Sequence, residues 1–246
     1  MRPGGTRAGR DGQVQRRFGL VIFDCDGVLI DSEIISARML VSALADRGVR
    51  IDLDYVARHF LGRSYPTVMN TIRADFGVDL PAAFEDDYRA RLLSAFETGL
   101  RVMPEARETL ERIAVPWCVA TSSSRGRAER SLRIVGLDAL VGERLFTAGE
   151  VAQGKPAPDL FLHAAARMGA APSDALVIED SLNGIRAARA AGCTVWRFTG
   201  GSHLAGRDGP EPDDARPDAR FSRFGELAEL APDLFPERRP ETRFAS

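Results

Sequence analysis

The sequence predicts an α/β protein, a doubly wound, Rossmann-like parallel sheet with an inserted α-helical cap. Three observations predict it. Short continuous apolar runs of the kind buried parallel strands show recur along the chain. Amphipathic helical patterns separate them. About 70 residues after the first run contain no strand-like run at all, only helical periodicity.

The first strand is read at 19 to 23, Gly-Leu-Val-Ile-Phe, and it ends abruptly in Asp24 and Asp26, as a buried strand does at the carboxyl edge of its sheet. Further strand-like runs are Val115 to Ala120, Ala175 to Ile178 and Thr194 to Phe198. Helices are expected between them at Arg125 to Val135, Pro158 to Met168 and Leu182 to Ala191, the last stopped by Gly192. Within the long insertion, the candidates are Ile34 to Leu44, Tyr55 to Leu61, Tyr65 to Phe76 and Pro81 to Phe96. A connection of that length needs structure of its own. The expected organisation is therefore a core of residues 18–32 and 100–235, a helical cap at 33–99, and tails at 1–17 and 236–246. The Gly, Pro and Asp content from Gly200 to Arg220 reads as a surface loop, and a short strand and helix near Ala219 to Leu230 complete the core.

Composition excludes several classes of function. At 246 residues, 44% hydrophobic and 28% charged, the chain is an ordinary globular protein, and a net charge of −2 argues against a dedicated polyanion binder. The apolar run Phe18 to Phe23 is too short to span a bilayer, so neither a nucleic-acid nor a membrane partner is expected. Arg2, Arg7, Arg10, Arg16 and Arg17 face only Asp11 in the first 17 residues, but Pro3 and four glycines oppose a transit-peptide helix, and a disordered tail is expected. Cys25, Cys118 and Cys193 show no metal-type pairing and read as reduced, packed thiols in a cytoplasmic protein. Of 33 basic residues, Lys155 is the single lysine. Such a residue stands out because lysine offers a compact charge where an arginine does not serve.

The chemistry-bearing residues fall at strand ends, where doubly wound sheets bind ligands. Asp24 and Asp26 end the first strand, and Val119-Ala120-Thr121-Ser122-Ser123-Ser124 ends the next in hydroxyls. Lys155 lies in Gly-Lys-Pro-Ala-Pro-Asp, and Ile178-Glu179-Asp180-Ser181 ends a later strand in acids. A calcium-loop reading fails, because Val28, Leu29 and Ile35 fall where that loop needs an oxygen ligand, a glycine and a glutamate. Singly, these groups are as well explained as caps or solvated charges. Together they supply an in-line nucleophile, hydroxyl donors, a cation and metal-binding carboxylates, the parts that phosphoryl transfer needs.

The four motifs FDCDGVLIDSE, VATSSS, GKPAPD and IEDSLNG resemble those of the haloacid dehalogenase (HAD) superfamily, in the branch with a helical cap after the first motif. The resemblance covers roughly residues 18 to 235. It implies a hydrolase of phosphoric monoesters in which Asp24 is the nucleophile and Asp26 the general acid and base. It implies further that Thr121 and the backbone of Ser122 hold the phosphoryl oxygens, and that Lys155 neutralises nucleophile and phosphate. Magnesium is implied as cofactor, on Asp24, the Asp26 carbonyl and Asp180, with Glu179 a ligand or a partner behind them. The loop Gly62-Arg63-Ser64, between two helices of the insertion, is implied to face the substrate. An acid at Asp26 speaks against dehalogenation. A mutase resembling β-phosphoglucomutase is the nearest alternative, but Ser36 stands where those mutases place a histidine, Tyr65 where they place an arginine, and Ser124 where they place a lysine. A phospho-accepting receiver or a binding module is the non-enzymatic alternative. The expectation is a monomer acting on a small phosphorylated metabolite, a sugar phosphate or phosphorylated acid. His59, His163 and His203 lack partner spacing and read as packing or capping residues, and Trp117 and Trp196 as core.

Overall fold

A computed structural model describes residues 17–236 except 61, 62, 64, 79, 207 and 208; the two tail expectations otherwise fall outside the described residues. Six strands form one parallel sheet, β1 (Leu20–Phe23), β2 (Trp117–Thr121), β3 (Leu145–Thr147), β4 (Ala175–Glu179), β5 (Thr194–Phe198) and β6 (Ala219–Phe221). Their order in space is β3-β2-β1-β4-β5-β6, with every neighbouring pair parallel. The described residues of 33–99 hold four helices and no strand, α1 (Glu33–Ala45), α2 (Leu53–His59), α3 (Tyr65–Phe76) and α4 (Ala82–Gly99). The helices after them are α5 (Ala106–Arg112), α6 (Arg125–Ile134), α7 (Asp138–Val141), α8 (Asp159–Arg167), α9 (Leu182–Ala190) and α10 (Phe224–Leu230). None is long and apolar enough to cross a membrane.

Period-two alternation in the strands sorts side chains to two faces. Val21 and Phe23 join Trp117, Val119, Leu176, Ile178, Trp196 and Phe198 in one buried cluster, which runs on into Leu40, Leu44, Ile72, Leu92 and Phe96 of the four-helix insertion. Leu20 and Ile22 point the other way, onto Cys118, Ala120, Val177 and Val195 and the small side chains Ala164, Ala165, Ala187 and Ala188 of α8 and α9. Both Trp side chains are therefore core, and all three cysteines are buried and unpaired. Local signals place the helix ends. Ser181 accepts from the Gly184 amide to start α9, Asp52 accepts from Tyr55 to start α2, and Gly77 and Gly192, at φ 62° and 79°, end the chain runs after α3 and α9.

Three elements escape the sequence reading: β3 and α7 have only three and four residues, and α5 carries a single large apolar residue, Leu110, so none shows a period. The second strand starts at Trp117 rather than Val115, because Pro116 has no amide to give the ladder; its carbonyl instead accepts from Val21. The segment expected as a surface loop is in part an inner one, with 3-10 turns at Ser202–Leu204 and Asp213–Ala215 and with His203, Leu204 and Ala215 buried. Turn-forming composition signals irregular backbone, and here that backbone folds over the carboxyl edge of the sheet.

Glu105, ahead of α5, is the single non-glycine residue among those described with a left-handed backbone, at φ 64° and ψ 1°. An L side chain there costs about 1 kcal/mol. Glu105→Gly is expected to raise the thermal midpoint by about 1–3 °C, the net of relieved strain and added unfolded-state freedom. A calorimetric midpoint that falls would show that the Glu105 side chain contributes more than its backbone costs.

Candidate active site

The strand order reverses between β1 and β4, and the carboxyl ends of β1, β2 and β4 meet there. β1 delivers Asp24 and Asp26, β2 delivers Thr121 and Ser122, β4 delivers Glu179 and Asp180, and Lys155 enters from the turn before α8. All line one cavity of about 420 Å³ that reaches up between the sheet and the helical insertion.

The Lys155 ammonium lies at the floor, donating to Asp24 Oδ1 at 2.6 Å, Glu179 Oε1 at 2.9 Å and the Ala120 carbonyl at 3.0 Å. Burial opposes its charge, but Asp24 and Glu179 outweigh that and hold it protonated. Burial pushes the Asp24 and Asp180 carboxyls up; Lys155 opposes the rise in each, while Glu179 adds to it. Asp24, Glu179 and Asp180 bring carboxylate oxygens within 4.8 Å of one another, all buried. One ammonium cannot balance three carboxylates, and the surplus is hard oxygen donors in a dry site, which fits a small divalent cation. Glu179 is already committed, since its second oxygen accepts from the Ser181 amide at 2.6 Å. Each Glu179 oxygen thus already accepts one hydrogen bond, and with Asp24 and Asp180 it completes the group of carboxylates that could hold such an ion.

Two glycines make this crowding possible. A Cβ on Gly27, at φ 82°, would sit 2.2 Å from Asp180 Oδ2, and one on Gly184 would sit 1.7 Å from Glu179 Oε1. Any side chain at either position displaces a carboxylate.

Asp26 is held differently. Its Oδ1 accepts from Ser32 Oγ at 2.6 Å and Arg127 Nη2 at 2.9 Å, and its Oδ2 from Ser123 Oγ at 2.6 Å and Thr121 Oγ1 at 3.2 Å. Burial works to raise this carboxyl, but Arg127 and the three hydroxyls win and lower it. Asp26 stands as an ionised carboxylate ready to take a proton. Giving one requires that it first shed some of these donors.

Asp24, Asp26, Thr121, Ser122, Lys155, Glu179 and Asp180 are thus gathered around one cavity, and Arg63 is exposed on its rim, its amide donating to the Phe60 carbonyl. Gly62 and Ser64 lie outside the described residues. Sequence reasoning missed Ser32, Ser123, Arg127, Glu33 and His203. The two serines lie inside quoted motifs, where their reach to Asp26 depends on loop geometry. No signal marks Arg127 in a chain with 32 arginines. His203 was read as packing or capping, whereas its Nε2 lies 2.8 Å from Asp180 Oδ2. His163 approaches Glu150 at 3.5 Å and His59 stacks on Tyr55.

Comparison with known proteins identifies the family. The family described as haloacid dehalogenase-like hydrolase matches residues 18–192. The 6-phosphogluconate phosphatase of Escherichia coli is 28% identical over 76% of this chain and 85% of its own length, and hexitol phosphatase A of the same organism is 31% identical over 71% and 80%. A HAD family hydrolase from Deinococcus radiodurans, solved with bound phosphate and sodium, is 34% identical, with a TM-score of 0.70 over 90% of this chain and 99% of that one.

Glu33, the first residue of α1, is partly buried in the cavity wall. Burial, seconded by Asp26, pushes its carboxyl up to about 7. A folded-state value above the unfolded one gives stability that is complete below pH 4.5 and is lost as pH rises through 7. Glu33→Gln removes that loss. The variant is expected to be more stable than the parent at pH 8 by about 1–2 kcal/mol, discounted for water reaching the group, with the gap closing at pH 4.5. Urea midpoints at both pH values test it, and a gap independent of pH would refute the titration.

Proposed function

Because the chain belongs to the haloacid dehalogenase-like hydrolase family, we propose that it is a magnesium-dependent phosphatase that hydrolyses a small phosphate monoester, a sugar phosphate or phosphorylated acid, through an aspartyl-phosphate. The observation that carries this is the Lys155 ammonium 2.6 Å from Asp24 within a buried carboxylate cluster at the floor of the cavity. Phosphatase-named relatives of sugar acids and hexitols support the substrate class.

In this reading Asp26 takes a proton from solvent as the ester binds, Asp24 attacks phosphorus in line, the ester P–O bond breaks, and Asp26 delivers that proton to the departing oxygen. Asp26 then takes a proton from water, the hydroxide attacks the same phosphorus, and the Asp24 carboxylate leaves with orthophosphate released. The Thr121 hydroxyl, now spent on Asp26, turns to a phosphoryl oxygen when the ester arrives, joined by the Ser122 amide. That exchange takes one donor from Asp26 and helps it accept the proton it must deliver. Lys155 holds Asp24 and the incoming oxygens together. Magnesium, on Asp24, the Asp26 carbonyl and Asp180 with Glu179 behind, supplies the positive charge that lets a carboxylate approach a phosphate. The helices of residues 33–99 act as the cap that closes over the cavity and excludes water, with the Gly62-Arg63-Ser64 loop towards the substrate.

A panel of small phosphate esters assayed with magnesium tests the reading. Turnover is expected to stop with excess chelator and return with magnesium. Asp24→Asn keeps the shape of the side chain and removes the nucleophile, so it is expected to leave less than about 1% of the rate in a folded protein. Activity that survives chelator overturns the metal, and activity that survives the substitution overturns the nucleophile.

A further inference from the structure

Arg127 links the sheet body to the insertion at the cavity wall. It rises from α6; its Nη2 donates to Asp26 Oδ1 at 2.9 Å and to Ser36 Oγ of α1 at 3.3 Å, and its guanidinium carbon lies 5.6 Å from the Phe96 ring centroid of α4. The side chain is 22% exposed, yet its Nε is buried without any acceptor. A partly buried, permanently charged group with an idle buried donor beside its Asp26 contact can take a further anion that the folded chain does not itself supply. Two more buried polar atoms without partners, Tyr65 Oη and Ser122 Oγ, belong to residues lining the same cavity.

The other cations of the cavity are placed otherwise. Lys155 is held by Asp24 and Glu179, Arg89 is paired with Glu85 at 2.6 Å, and Arg63 is exposed at the rim. Lys155 meets the nucleophile; Arg127 meets Asp26, which serves the leaving oxygen, and then the insertion helices. The guanidinium therefore faces the organic part of an ester whose phosphorus is at Asp24. When Asp26 turns to the leaving oxygen, Arg127 loses its counter-charge, and an anionic group on the substrate can replace it.

We propose that Arg127 is the specificity-determining residue of this site, binding an oxyanion, a carboxylate or a second phosphate, carried by the substrate away from the phosphate that is cleaved. A planar guanidinium offers Nε and an Nη edge to two oxygens at once, which a hydroxyl cannot match. The proposal rests on the phosphatase reading above and narrows its substrate class.

The test is steady-state kinetics, with magnesium, of the parent, Arg127→Met and Arg127→Lys on three esters. Gluconate 6-phosphate carries a terminal carboxylate, fructose 1,6-bisphosphate a second phosphate, and glucitol 6-phosphate a neutral terminus. The parent is expected to favour one anionic ester over glucitol 6-phosphate by about ten- to hundred-fold in kcat/KM, and the favoured ester identifies the oxyanion. Arg127→Met is expected to collapse that ratio to within about three-fold, chiefly through KM, whatever it does to kcat through Asp26. Arg127→Lys, which keeps the charge and the packing volume, is expected to give an intermediate ratio, so the test stands even if the Met variant folds poorly. Equal losses on all three esters would overturn the proposal, showing that Arg127 only holds Asp26 or the transferred phosphate. A parent that does not discriminate among the three overturns it as well. A parent that hydrolyses no phosphate ester overturns the phosphatase reading itself, a result distinct from either.

Discussion

Everything at the carboxyl edge of this sheet depends on the contact between one ammonium and the carboxylates gathered around it. Lys155 is 1% exposed in its side chain and bonds Asp24 and Glu179 together. Taking these charges out of water costs several kcal/mol each, and only close mutual contact offsets it. That requirement dictates the rest: strands that end in register at Asp24 and Glu179, a turn that brings Lys155 in beneath them, and glycines at 27 and 184 where no side chain fits. Three buried carboxylates thus gather around one ammonium, a set of hard oxygen donors that fits a small divalent cation.

The same edge divides its labour between two aspartates two residues apart. Both are buried, yet burial wins at Asp24 and donors win at Asp26. The difference is one of neighbours. Asp24 sits among other acids, and Asp26 sits among three hydroxyls and a guanidinium. The two shifts run opposite to the proposed roles, so Asp24 needs a cation beside it to ionise before it attacks, and Asp26 must lose donors before it holds a proton.

β1, β2, β4 and β5 were legible because they are runs rich in apolar residues, and the four insertion helices because their apolar positions recur with a helical period. The floor of the site was legible for a related reason: Asp24, Asp26, Lys155, Glu179 and Asp180 belong to short segments whose residue types carry the chemistry directly. The walls were not. Arg127 reaches Asp26 across about 100 positions of chain, and His203 reaches Asp180 from a segment whose composition speaks only of turns. Such contacts are made by the packing of distant elements, which no local pattern records.

The scarcity of lysine has a practical side. Reagents that acylate amines need an accessible, unprotonated ε-nitrogen, and the sole one this sequence offers lies sealed and charged beneath Asp24. Side-chain acylation of the folded chain is therefore expected to be slow, and a single modified position would appear only as the molecule opens. Lys155 becomes a built-in clock for that opening, readable as the modified lysine in a peptide mass map.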